Sequence, residues 1–125
     1  MGRKIRCIKS KGENILKFRE LSLKGVFLIE LEKIEDERGF FARSWDKKEF
    51  ENNKLNSNLF QCNISFNKNK GTIRGMHFQK EPYAEAKTIR CTKGRVFEVM
   101  IDIRVDSPTF HKWISVELDE GKNEV

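Results

Sequence analysis

Long apolar stretches are missing from this sequence of 125 residues. No run approaches the roughly 20 apolar residues that a membrane-spanning helix needs, so the sequence predicts no membrane partner. The basic start, MGRKIRCIKSKGEN, also lacks the apolar core of a secretory signal. A cytoplasmic location is therefore predicted.

Cysteine and histidine are scarce as well. Cys7, Cys62 and Cys91 are widely spaced and form neither a CxxC motif nor a Cys/His cluster with zinc spacing. This pattern predicts reduced thiols and no metal site, with Cys62 and Cys91 packed inside apolar strands. Imidazole is the usual general base at neutral pH, and the chain has only two histidines. His111 follows a Pro-Thr-Phe turn, which leaves His77 as the candidate base.

Charge, by contrast, is abundant. The chain has 25 Lys and Arg against 19 Asp and Glu, a formal net charge of +6. Such a balance is compatible with a nucleic acid, an anionic small molecule or simply a well-solvated surface. The densest basic group, in the first eleven residues, contains no aromatic side chain. Because no nucleic-acid-binding motif accompanies the charge, the sequence predicts no nucleic-acid partner.

Short β-rich runs dominate from Ile15 onward. Turn residues bound seven predicted strands, at 25–31, 39–45, 60–66, 72–78, 86–91, 95–104 and 113–118. Asp46 followed by Glu49 resembles a capping box and predicts a short helix over 47–53. Many short strands with little helix predict a β-sandwich or barrel. The predicted organisation is one domain, 15–125, behind a basic extension of residues 1–14.

Alternation along two strands assigns side chains to faces. In 95–104 an apolar face carries Phe97, Val99, Ile101 and Ile103, and the other face carries Glu98, Met100, Asp102 and Arg104. In 60–66 a polar face carries Gln61, Asn63 and Ser65. A polar strand face either meets water or lines a cavity, and the alternation is compatible with both.

The string RGMHFQ, 74–79, holds the side chains best suited to chemistry. His77 can be a general base or a hydrogen-bonded structural histidine. Arg74 and Lys87 also have the plain alternative of solvated strand residues. Arg38, in DERGFF, fits a turn residue with local ion pairs.

Four strings, in order and with matching spacing, resemble the dTDP-4-dehydrorhamnose 3,5-epimerase family. They are DERGFFARSW, QCNISFNKNKGTIRGMHFQ, EAKTIRCTKGRVFEVMIDIR, and SPTF followed by W-x-x-V-E-L. The resemblance implies an all-β, cupin-type jelly-roll β-sandwich with one short helix, incomplete at the C-terminus. It also implies a homodimer in which strands of 15–30 join the partner's sheet.

What the resemblance implies for function is a sugar-nucleotide epimerase, an isomerase of dTDP-rhamnose biosynthesis that needs no cofactor. Its substrate is a dTDP-linked 4-keto-6-deoxy sugar, epimerised at C3 and C5 by proton abstraction next to the C4 ketone. His77 matches the family's general base, and Lys87 matches the Lys near the carbonyl. The matching substrate-binding positions are Arg38, Phe41, Gln61, Asn63 and Arg74.

That role requires Arg74 and His77 to reach one pocket, although their odd spacing puts them on opposite faces of a regular strand. Gly75 lies between them, and a glycine inside a strand often marks a bulge. We therefore predict a bulge or sharp bend near Gly75 that turns both side chains inward.

Two departures from the family widen the functional prediction. Many members carry Glu where this chain has Arg43, another predicted substrate-binding position, so a single-site 3- or 5-epimerase of a related dTDP-keto-deoxysugar is an alternative. Family members also continue to a proton-donating Tyr and a base-orienting Asp, and Tyr83 does not match that Tyr. A truncated, inactive nucleotide-sugar-binding remnant is therefore the second alternative, and it predicts little or no activity from this chain alone.

Overall fold

The computed structural model of this protein describes residues 15–122 and 124–125. The elements are β1 Leu16–Glu20, β2 Phe27–Leu31, β3 Lys33–Asp36, β4 Gly39–Ala42, α1 Lys47–Asn52, β5 Arg95–Ile101 and β6 Trp113–Asp119. They form three antiparallel two-stranded sheets, β1–β2, β3–β4 and β5–β6. The predicted extension at 1–14 lies outside the described residues. No helix in the described part of the chain is long and apolar enough to cross a membrane.

Strand β2 is buried on both faces. Leu28 points to a cluster with Cys91 and Leu118, whereas the next residue, Ile29, joins an opposite cluster. That second cluster consists of Leu16, Ile29, Leu31, Phe50 and Val125. Consecutive apolar residues, here 26–29, are typical of a strand covered on both sides. Strand β2 is therefore the central element, with packed side chains above and below it.

Helix α1 begins where the capping pattern predicts. Asp46 has an extended backbone, and its side chain accepts a hydrogen bond from the Glu49 N–H at 3.1 Å. Glu49 in turn accepts a hydrogen bond from the backbone N–H of Leu16 at 2.6 Å, which ties the helix to β1. Phe50 is the buried helix residue and meets Phe18 edge-on, with ring centroids 5.4 Å apart.

Three predicted strands, 60–66, 72–78 and 86–91, are wrong. The stretch 60–90, which we call the open segment, contains no strand, and every residue in it is exposed. Its backbone–backbone hydrogen bonds are those that close turns, Thr72 to Asn69 and Tyr83 to Lys80. Alternation indicates which side chains share a face, but a strand also needs a neighbour that accepts its hydrogen bonds. Among the described residues, none does so.

The absence of a strand at 60–66 also changes the surroundings of one cysteine. Cys91 is buried, as predicted, but Cys62 is exposed on the open segment. The packing predicted for Cys62 is wrong because its strand has no covering layer among the described residues. Cys7 lies outside them.

The alternation predicted for β5 is present, and its apolar face is the more exposed one. Phe97 is 66% exposed, and in the register it sits opposite Glu117 of β6. The inner face instead pairs Val96 with Leu118 and Met100 with Ile114. We call Phe97, Val99, Ile101 and Trp113 the outer face. All four of these side chains are exposed.

A buried carboxylate holds the loop after β5. Asp102 is 5% exposed and accepts hydrogen bonds from Ser107 Oγ, Thr109 Oγ1 and the Arg104 guanidinium. Arg104 also donates to the Lys24 carbonyl, which joins this loop to the β1–β2 turn. The bonds from Arg104, then those from Ser107 and Thr109, hold the pKa of the Asp102 carboxyl well below its usual range.

Replacing Asp102 with Asn is expected to destabilise the protein at pH 7 and progressively less as the pH falls below about 4. Because its pKa is lower in the folded state, the carboxylate stabilises the fold above its unfolded pKa and loses that effect as acid is added. Urea unfolding between pH 7 and pH 2.5 measures the difference, whose slope should correspond to about one proton. The exposed Asp106→Asn variant is the control, and a pH-independent gap for Asp102→Asn would contradict the prediction.

Candidate active site

One predicted site residue lies in the β3–β4 turn. Asp36 pairs with Gly39, so Glu37 and Arg38 form the turn. Asp36 accepts hydrogen bonds from the Arg38 backbone N–H at 2.8 Å and from its Nε at 3.2 and 3.3 Å. These bonds lower the pKa of the Asp36 carboxyl, the side-chain bond most. Arg38 is therefore a turn residue with a local ion pair, and an anion must compete with Asp36 for its guanidinium.

Two more predicted residues follow on β4 and just beyond it. Phe41 lies opposite Ile34 in the register and is 67% exposed. Arg43 lies after the strand, with Nε 3.8 Å from Asp46 Oδ2 and Nη1 3.5 Å from Glu49 Oε1. A carboxylate at position 43 would face these two carboxylates and be repelled. The guanidinium therefore suits the start of α1, which explains locally why this chain carries Arg here.

The other five predicted residues, Gln61, Asn63, Arg74, His77 and Lys87, all lie on the open segment. Arg74 donates from Nη1 to Ser65 Oγ at 2.7 Å, which brings the stretch with Gln61 and Asn63 next to the stretch with His77. Lys87 Nζ lies 3.0 Å from Glu85 Oε1. Ser65 and Glu85 are not among the site residues predicted from the sequence. Of these two residues, the sequence pattern indicates only Ser65, which shares the polar face of 60–66 with Gln61 and Asn63.

The backbone at Gly75 leaves the extended conformation. Its φ is +104°, and a Cβ there would lie 3.4 Å from Nδ1 of His77, so the imidazole packs against this glycine. A side chain at Gly75 would be strained in that backbone conformation. Of the predicted bulge or sharp bend, the bulge is wrong, because the described residues offer no paired ladder in which it could form, and the sharp bend stays a prediction. That Arg74 and His77 turn to one pocket stays a prediction.

The structure does not gather the predicted residues into one cluster. Leaving Arg43 aside, no hydrogen bond or ion pair within the described residues joins two of the other seven. Clefts of about 560 and 460 Å³ lie beside β6, and none of the eight residues lines either one. Nor do the described residues include a group of three or more His, Cys, Asp or Glu side chains arranged for a metal. Five of the eight residues lie on an exposed, unpaired backbone, and the other three lie on or beside β4.

Comparison with known proteins gives this set a context. The family described as dTDP-4-dehydrorhamnose 3,5-epimerase matches residues 20–125. The enzyme of that name from Sinorhizobium fredii is 45% identical over 103 residues, which are 82% of this chain and 53% of the relative. The chain thus spans about half the length of such curated relatives.

Solved structures agree with the sequence comparison. The epimerase from Elizabethkingia anophelis superposes with a TM-score of 0.83 at 38% identity, over 87% of this chain and 60% of that one. The Bacillus anthracis enzyme, solved with TDP and PPi bound, has a TM-score of 0.83 at 36% identity, over 88% and 63%. The predicted all-β, jelly-roll class is confirmed, and the chain belongs to the dTDP-4-dehydrorhamnose 3,5-epimerase family.

Proposed function

We propose that this polypeptide supplies the general base and the anion-binding groups of an epimerase that acts at C3 and C5 of a dTDP-linked 4-keto-6-deoxy sugar. The observation that carries the proposal is the family match over residues 20–125. It includes every position to which the resemblance assigns a role. The substrate and the activity belong to this proposal, as do the homodimer and the cytoplasmic location predicted from the sequence.

The chemistry follows from the ketone at C4 of the sugar. Hydrogens on C3 and C5 are acidic because each carbon neighbours that carbonyl. The imidazole of His77 accepts one of these protons. The Lys87 ammonium stabilises the negative charge that develops meanwhile on the C4 oxygen. An acid on the opposite face of the sugar then returns a proton to that carbon, which inverts the centre, and His77 releases its own proton to solvent. For this the ammonium must leave or share its ion pair with Glu85, 3.0 Å away.

The charge of the open segment suits a nucleoside diphosphate. It contains six basic residues against two acidic ones. Arg74 uses Nη1 to donate a hydrogen bond to Ser65 Oγ. Its planar guanidinium has further N–H groups that can bind phosphate oxygens. The Arg38 guanidinium, in the β3–β4 turn, can also donate hydrogen bonds to the phosphate oxygens once the anion displaces the Asp36 carboxylate.

Solvent deuterium exchange tests the proposal. The chain is incubated with dTDP-4-dehydro-6-deoxyglucose in D₂O, and NMR follows the C3 and C5 hydrogens. We expect exchange at both carbons, slower than with the full-length Sinorhizobium fredii relative. Slow exchange is expected because His77 has no orienting carboxylate within the described residues. Exchange at one carbon alone would select the single-site epimerase, and no exchange at either would overturn the catalytic proposal.

A nucleotide-sugar-binding protein without catalysis is the second candidate. The observation that favours it is the exposure of all five site residues on the open segment. Calorimetric titration with dTDP separates the two functions. Heat of binding without deuterium exchange would select the non-catalytic protein, whereas neither binding nor exchange would exclude both.

A further inference from the structure

The basic residues of the predicted site differ in the groups that hold them. Arg38, Arg43 and Lys87 each lie against one or two carboxylates. An anionic ligand must compete with those carboxylates for the cation, which lowers the net gain on binding. Arg74 has no carboxylate partner in the part of the chain that the structure describes. Its bond there is to a neutral group, the hydroxyl of Ser65, at 2.7 Å from Nη1.

A turn in the open segment brings Ser65 opposite Arg74. Between them, Thr72 donates from its backbone N–H and from its hydroxyl to the Asn69 carbonyl, at 3.4 and 2.7 Å. Gly71 has a φ of +81°, a backbone conformation that glycine adopts without strain. The bond from Arg74 to Ser65 closes a loop whose tip is this turn. The guanidinium is therefore held at a fixed place across the loop.

This bond leaves most of the Arg74 donors available. A guanidinium carries five N–H groups, and Ser65 Oγ accepts from one of the two on Nη1. Neither Nε nor Nη2 of Arg74 has a partner among the described residues. Two adjacent N–H groups of this kind form the planar fork that binds two oxygens of one phosphate. The side chain is thus oriented by one nitrogen while its phosphate-binding edge stays open.

We propose that Ser65 is a positioning residue for the diphosphate of the nucleotide sugar, because it fixes the Arg74 guanidinium without neutralising it. The inference rests on the proposed function, which gives Arg74 an anion to bind. An arginine side chain loses much rotamer freedom when it is immobilised, and a bond that is already made lowers this cost on binding. A carboxylate at position 65 would hold the guanidinium as well, but its charge would repel the diphosphate. A neutral hydroxyl suits both requirements.

Calorimetric titration with dTDP tests this role. Ser65→Ala is expected to weaken dTDP binding about three- to tenfold, which corresponds to the loss of one hydrogen bond. Ser65→Thr keeps the hydroxyl and should bind dTDP like the unchanged chain. Ser65→Asp should weaken binding more than Ser65→Ala does, because it places a carboxylate beside the guanidinium. The control is Ser57→Ala, which removes a hydroxyl that donates to Glu51 at 2.9 Å and should leave the dTDP affinity unchanged.

A double-mutant cycle separates positioning from a general effect on the fold. Arg74→Ala should weaken dTDP binding at least about tenfold. In that background Ser65→Ala should cost less than about twofold more, because the group that it positions is gone. Ser65 is exposed, so these changes do not reach the core, and circular dichroism checks that the variants fold alike.

The outcomes distinguish this inference from the proposed function. If Arg74→Ala weakens dTDP binding and Ser65→Ala does not, or if the two losses add, the positioning role is overturned while the anion-binding role of Arg74 stands. Ser65→Asp binding as tightly as Ser65→Thr would overturn it too. If the unchanged chain binds no dTDP, or Arg74→Ala binds it equally well, the anion-binding part of the proposed function fails together with this inference.

Discussion

Replacing His77 with Asn is expected to lower the rate of deuterium exchange at C3 and C5 of the nucleotide sugar by about 10²–10⁴-fold, the usual contribution of a positioned general base. Asparagine keeps a polar side chain of similar size but cannot accept the substrate proton. The rate is measured by NMR on this chain, at matched protein and substrate concentrations for both variants.

The other histidine of the chain provides a matched control. His111 lies in the turn before β6 with φ at +63° and stacks on Phe110 at 3.7 Å between ring centroids. Asparagine tolerates that left-handed backbone well, so His111→Asn should fold and retain its exchange rate. Equal losses in both variants would point to a folding defect, and an unchanged rate in His77→Asn would assign the base to another group.

Replacing Phe50 with Ala is expected to reduce the free energy of unfolding by about 3–5 kcal/mol. Phe50 is 3% exposed and packs between Phe18 and Trp45. Its ring centroid lies 5.4 Å from that of Phe18 and 5.9 Å from that of Trp45. Its removal takes apolar surface out of the cluster and leaves a cavity. Urea unfolding followed by tryptophan fluorescence and circular dichroism measures the change.

The control for this core variant is Phe41→Ala. Phe41 is 67% exposed, so its truncation should change the free energy of unfolding by no more than about 0.5 kcal/mol. The loss of about 3–5 kcal/mol expected for Phe50→Ala is a large part of the 5–15 kcal/mol that stabilises ordinary domains. Phe50→Leu is therefore measured as well, and its loss should lie between those of Phe41→Ala and Phe50→Ala. Equal midpoints for Phe41→Ala and Phe50→Ala would contradict the packing described for α1.

The features predicted correctly from the sequence are those decided by nearby residues. The helix predicted over 47–53 is found at Lys47–Asn52, and it begins where the Asp46 side chain accepts a hydrogen bond from the backbone N–H of Glu49, three residues away. Strand β2 follows from a compact apolar run, whose two buried faces the structure supplies. Both depend on local capping and on hydrophobicity, which a single sequence contains.

The features predicted wrongly depend on which strand pairs with a segment and which layer packs on it. The alternation in 60–66 fixes which side chains share a face, but no described strand pairs with it. On β5 the alternation is right, yet which face is buried depends on the layer that packs there. For the same reason the eight site residues could be named by resemblance, whereas their convergence on one pocket could not be derived.

Arg43 illustrates how a local contact adds to a resemblance. The family pattern indicates a charge reversal at this position and suggests a change in sugar specificity. The structure adds two carboxylates, Asp46 and Glu49, close to the guanidinium. The substitution therefore has a structural reason at the helix start, whatever its effect on the substrate.

The location of five site residues on the open segment has a consequence for substrate affinity. Whatever orders that segment, bound substrate included, also sets the geometry of His77 and Lys87. The free energy spent on that ordering is subtracted from the free energy of binding, so the measured affinity reports both the contacts and the ordering.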